Sequence, residues 1–109
     1  MADLQEHKAI AAKYATNVNT PALDGMAKNY ALVLSSKDSQ FVSCGDAAEK
    51  DTVRINFLKK KLALTHSDAD LDAAIDAVCG KMKDDRFKSR LAFYYLLAEH
   101  YKKLDMFVK

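Results

Sequence analysis

The sequence predicts an all-helical fold, a compact array of about five helices packed around the last one. Three observations carry that expectation. Every long segment repeats its apolar residues at the 3.6-residue period of a helix. The 109 residues include only three glycines and one proline, whereas a strand-rich chain needs turn formers every few positions. Finally, the stretch from Phe87 to Leu104 is apolar around most of its circumference, so other elements must wrap it on more than one side.

That last helix organises the rest. At ~100° per residue, Phe87, Leu91, Tyr94, Ala98 and Tyr101 form one stripe, and Phe93, Leu97 and Leu104 form a second beside it. Leu96 stands opposite, and the three tyrosines of the helix need hydroxyl partners where they are buried. Arg90 falls inside the apolar arc, between Leu97 and Tyr101. A guanidinium stays charged at any accessible pH, so burying it requires carboxylate or carbonyl partners. We therefore expect Arg90 to be at least half buried and paired with an acid from another helix. Asp51 is one candidate, because it shares a helical face with Ile55 and Leu58.

The remaining elements follow in order. Asp3 to Ala15 reads as a helix, with Leu4, Ala11, Tyr14 and Val18 on one side. Thr20-Pro21 opens the second, with hydroxyl cap and proline at the first helical position. Leu23, Met26, Ala27, Tyr30 and Leu34 give it an apolar face, and Gly25 marks a close helix crossing. Ser35 to Gly45 is the long non-helical stretch and the one place for a strand pair; Phe41 and Val42 in it should dip into the core. Asp46 with Glu49 three residues on has capping-box spacing and starts the third helix, which runs to about Ala63. Its apolar residues fall on two faces: Ile55, Leu58 and Leu62, then Val53, Phe57 and Leu64. Ser67, or Thr65, caps the fourth helix, where Leu71, Ala74, Ile75, Val78, Cys79 and Met82 form one stripe and Gly80 ends or loosens it. Asp84 or Asp85 is expected to cap the last helix. There is no repeat, low-complexity tract or second domain, so residues 1–109 read as one domain.

Composition excludes several classes. The net charge of +2 is near neutral for this size and neither demands nor excludes nucleic acid. No run approaches the ~18 apolar residues of a membrane span. The amino terminus carries acids and lacks an apolar core of signal-peptide length. With two cysteines in no paired spacing, the expectation is a reduced, cytoplasmic protein.

Few residues suggest chemistry. Lys59-Lys60-Lys61 diverge over ~200° of a helix, which suits a solvated face better than a phosphate row. A second basic group, Lys81, Lys83, Arg86, Lys88 and Arg90, surrounds the start of the last helix and is the candidate nucleic-acid surface; Asp84 and Asp85 at the same end oppose it. Asp68, Asp70 and Asp72 open like a calcium loop, but Ala73 and Cys79 stand where glycine and glutamate are required. Acids complementing the helix dipole explain them better. His7, His66 and His100 have no ligand spacing, and neither a catalytic constellation, a metal set nor a cofactor motif is present. Cys44 lies two residues before a helix cap, where a thiol pKa can fall, and is the candidate reactive thiol. Cys79, on the apolar stripe, reads as core.

The segment LKKKLALTHSDADLDAAIDAVCGKMKDDRFKSRLAFYYLLAEHY, from Leu58, together with DSQFVSCGDAAEKD, resembles a small bacterial family of unknown function. The resemblance implies a bacterial, helical, cytoplasmic protein and assigns no functional residue. The role expected is non-catalytic: a structural domain, or one that binds a protein partner or a second copy of itself. Nucleic-acid binding is the alternative, and thiol chemistry at Cys44 the weaker one.

Overall fold

Nine consecutive residues, Arg90–Ala98, are buried, and the other elements are arranged to bury them. The computed structural model describes residues 4–15, 18–30, 41–42, 44, 46–83 and 88–107. In chain order these form α1 (Leu4–Tyr14), α2 (Thr20–Asn29), β1 (Phe41–Val42) and α3 (Ala47–Thr52), which runs directly into a π-helix (Val53–Lys61). There follow α4 (Asp68–Lys81), β2 (Lys88–Ser89), α5 (Arg90–His100) and a 3-10 turn (Leu104–Phe107). Counting α3 with its π continuation, the described residues form five helices, four of them arranged around a centre made by α5, as the periodicity predicts. Phe87, Arg86, Asp84, Asp85 and residues 35–40, 43 and 45 lie outside the described residues.

α5 packs chiefly on α1 and α4, and also meets α2, both strands and the 3-10 turn. Even Leu96, opposite the main stripes, is buried. Two of its tyrosines find the partners that burial demands. The Tyr95 hydroxyl accepts the Asn19 N–H at 2.8 Å, and the Tyr94 hydroxyl accepts from Arg90 at 2.9 Å. The Tyr94 ring stacks on Phe57, centroids 4.1 Å apart, and meets Tyr30 edge-on at 5.2 Å. Such offset and edge contacts add to the area these rings bury.

Gly25 does mark a close approach, though not to a helix axis. A Cβ there would lie 1.9 Å from the carbonyl oxygen of Phe107, so α2 touches the backbone of the 3-10 turn. Gly80 has open space around it, and α4 continues through it to Lys81.

Four local expectations are corrected. Asn19, not Thr20, caps α2, its side chain accepting from Ala22 N–H, and Pro21 sits one place further in. Ser89 caps α5, its hydroxyl accepting from Ala92 N–H, in place of Asp84 or Asp85. Lys88 and Ser89 are extended and pair antiparallel with β1, Phe41 opposite Ser89 and Val42 opposite Lys88. Half of a strand pair therefore lies where the non-helical stretch allowed it, and Val42 is buried as expected. The fourth concerns winding. Ile55 was expected beside Leu58 and Leu62, yet it is 42% exposed, while Val53, Phe57, Leu58 and Leu62 are buried. A helix bonded i→i+5 turns once in more than four residues. Positions 53, 57/58 and 62 then share one face, whereas α-helical winding would put 53 and 62 on opposite sides. Burial of Val53 with Leu62 thus goes with the wider turn.

Candidate functional site

Three places gather polar side chains, and the first is inside. Arg90 is only 8% exposed. Its Nη1 donates to the Tyr94 hydroxyl, and its Nη2 donates to the Phe41 carbonyl at 3.2 Å and to the Glu49 carboxylate. Burial alone would lower the guanidinium's pKa; Tyr94 and Glu49 outweigh it and hold the group above its ordinary value. The expectation for Arg90 therefore holds, with Glu49 as the acid in place of Asp51. Asp51 pairs instead with Arg54, at 2.9 Å. Beside this cluster, His7 Nδ1 lies 2.5 Å from the Ser89 hydroxyl, and both residues are buried. Ser89 thus caps α5 and anchors α1 with one oxygen.

The second place is a charged surface web. Arg54 reaches Asp51 and Asp72 at 2.9 Å each, and its Nε faces Asp68 at 3.9 Å. That Nε is buried without a hydrogen-bond partner among the described residues, because Lys59 holds the same Asp68 oxygen at 2.5 Å. Lys59, then Arg54, keeps the Asp68 carboxyl below its ordinary pKa. Lys50 binds Asp76 at 2.6 Å, joining α3 to α4. Two of the three acids that open like a calcium loop, Asp68 and Asp72, are therefore partnered by Arg54 and Lys59.

The third is a cleft of about 440 Å³ where α4, α5 and the 3-10 turn meet. Ala77, Val78, Leu96 and Leu104 line it with apolar surface, and Lys81, Glu99 and His100 contribute its polar groups. Neither Lys81 nor Glu99 forms an ion pair with another described residue.

Among the described residues, the predicted basic group does not form one exposed surface. Lys81 and Lys83 are exposed, Lys88 is half-buried in β2, Arg90 faces inward, and Arg86 lies outside the described residues. Cys44 carries no free thiol: it is joined to Cys79, 35 residues on, by a disulfide. Cys79 is accordingly half-buried and bonded, in place of the plain core residue expected. Glu49, Ser89 and His7 were missed as a cluster. The spacing of Glu49 after Asp46 points to a local capping role, and nothing in sequence links residues 7, 49 and 89.

These features define an all-helical domain whose interior polar groups are tied to one another. A family model of proteins of unknown function (DUF2853) matches residues 5–105. The chain belongs to that family. Among curated proteins none matches it. No described helix is long and apolar enough to cross a membrane.

Proposed function

We propose that this is a non-catalytic protein of the bacterial cytoplasm that works by binding protein, and that its first partner is a second copy of itself, docked at the cleft between α4 and α5. The observation that carries this reading is the rim of that cleft: Lys81 and Glu99, opposite in sign and each without an ion-pair partner among the described residues, beside an apolar floor. A two-fold interface brings the same patch from both subunits together, so residue i meets j and j meets i. One cation and one anion on the rim then satisfy each other twice across the axis. The interior offers less for catalysis, since Arg90, Glu49 and Tyr94 are engaged in holding the fold.

Sedimentation velocity over a concentration series tests this. The native chain should show a concentration-dependent dimer. Lys81→Glu and Glu99→Lys should each be monomeric at the same concentrations, and an equimolar mixture of the two should recover the dimer, because their reversed charges complement. A monomer at every concentration, or a dimer indifferent to both reversals, refutes the docking site. Tight, salt-dependent retention on duplex DNA would instead favour the basic group, whose exposed members here are Lys81 and Lys83.

A further inference from the structure

We propose that the Cys44–Cys79 bond is a reversible redox site, opened by low-molecular-weight thiols of the glutathione class and closed by their disulfides, in a fold that persists in both states. The proposal rests on the cytoplasmic placement proposed above and is independent of the self-association reading.

Three observations carry it. First, both cysteines are only partly buried and pack against the edge of the core, outside its fully buried interior. Second, the two segments that the bond joins are held together without it. Cys44 lies between β1 and α3, and Cys79 sits on α4. β1 is fastened by its pairing with β2 and by Arg90 on the Phe41 carbonyl. α3 is fastened by Glu49 on Arg90 and by Lys50 on Asp76, which stands one turn before Cys79 on α4. Third, the core is continuous, from Ala11 on α1 to Phe107 in the 3-10 turn. Domains that depend on disulfides are those too small to build such a core. A lone cross-link on a well-formed core is therefore dispensable for folding, and in a reducing compartment bonds of this kind are transient and redox-sensing.

The exchange balances without a further reagent. A glutathione thiolate attacks one sulfur, forms a mixed disulfide and releases the other cysteine as thiolate. A second glutathione attacks the mixed disulfide, releases the remaining cysteine and leaves as glutathione disulfide. The protein disulfide gains two electrons and two protons, and two glutathione molecules lose them. What changes in the protein is the tether on the segment that presents Glu49 to Arg90.

The test uses the full chain equilibrated without oxygen in buffers of graded reduced and oxidised glutathione, then acid-quenched, alkylated and weighed by mass spectrometry, with far-UV circular dichroism on the same samples. We expect both thiols to appear together as the buffer becomes reducing, to disappear together on reoxidation, and the helical spectrum to be retained throughout. The Cys44→Ser/Cys79→Ser variant should likewise fold, with its folding equilibrium constant lower by roughly 30- to 900-fold in urea, the usual range for a lost cross-link. A bond that survives excess reduced glutathione overturns the proposal, because it is then a structural staple. Loss of helix on opening, or a double variant that is unfolded in the absence of urea, overturns it as well.

Discussion

Among the described residues two arginines stand in ionic company, and the contrast between them shows what burial does to a charge. Arg54 has three carboxylates within 4 Å, yet two of those acids, Asp51 and Asp68, are more than half exposed. Arg90 has one carboxylate, Glu49, whose side chain is 17% exposed, plus a phenol and a carbonyl. Counting partners would rank Arg54 first. Physical reasoning reverses the order. Exposed pairs contribute about 0–1 kcal/mol because water and salt screen them, whereas stripping one partner from a buried pair leaves a charge that nothing solvates.

The largest effect should come from Glu49→Ala, which leaves the buried Arg90 without its acid. We expect a loss of about 3–5 kcal/mol in urea unfolding. Adding Arg90→Met to that variant should recover most of it, since an apolar replacement of both partners is often near neutral. If Glu49→Ala is silent, the contrast between the two arginines collapses.

Next is the alkaline limb. Burial, with Tyr94 close by, pushes the Tyr30 hydroxyl well above its ordinary 10.0. Below that pH both states keep the proton and stability is unaffected. Above it the unfolded chain ionises first while the folded phenol stays protonated, so stability falls as pH rises towards the folded value. Tyr94, Tyr95 and Tyr101 are shifted the same way by burial. Tyr30→Phe should therefore flatten the fall in urea midpoint measured from pH 9 upward, without abolishing it. An unchanged slope would place the Tyr30 hydroxyl in open water.

A smaller change is expected at the other arginine. Arg54→Met should cost far less than Glu49→Ala, and the cost should shrink further in 1 M salt. Smallest of all is Asp68→Asn. Its carboxyl, lowered first by Lys59, favours the folded state above the ordinary value of 3.8, and that contribution is lost as pH falls through the folded value. The parent and variant should differ slightly at neutral pH and converge on acidification. A loss here as large as that of Glu49→Ala would sink the ranking.

The burial of Arg90 was legible from its place on the helical wheel alone, because an apolar arc leaves few other sites for its partners. Its partner was not. Asp51 was chosen by sharing a face with Ile55 and Leu58, but the π-helix from Val53 changes which residues share a face and turns Ile55 outward. Glu49 was visible, but as a capping residue; it serves Arg90, while Asp46 caps α3 by itself. Ser67 as a cap and the stripe of α4 were read correctly because both are local. The disulfide was hidden for the opposite reason: 35 residues separate its ends, and only the folded chain brings them together. The cleft between α4 and α5 was invisible too, since it belongs to the gap between two helices and to neither sequence pattern.

The anchor from His7 to Ser89 has a consequence for how the protein is made. The two residues stand 82 positions apart, and Gly25 on α2 likewise waits for the Phe107 backbone. On a ribosome adding about 5–20 residues per second, roughly 4–16 s pass between synthesis of His7 and of its partner. Throughout that interval α1 and α2 have no α5 to cover their apolar faces. Contacts of such long range also slow the search for the native state once the chain is released. α1 and α2 thus wait through those seconds for the element that covers them in the folded protein.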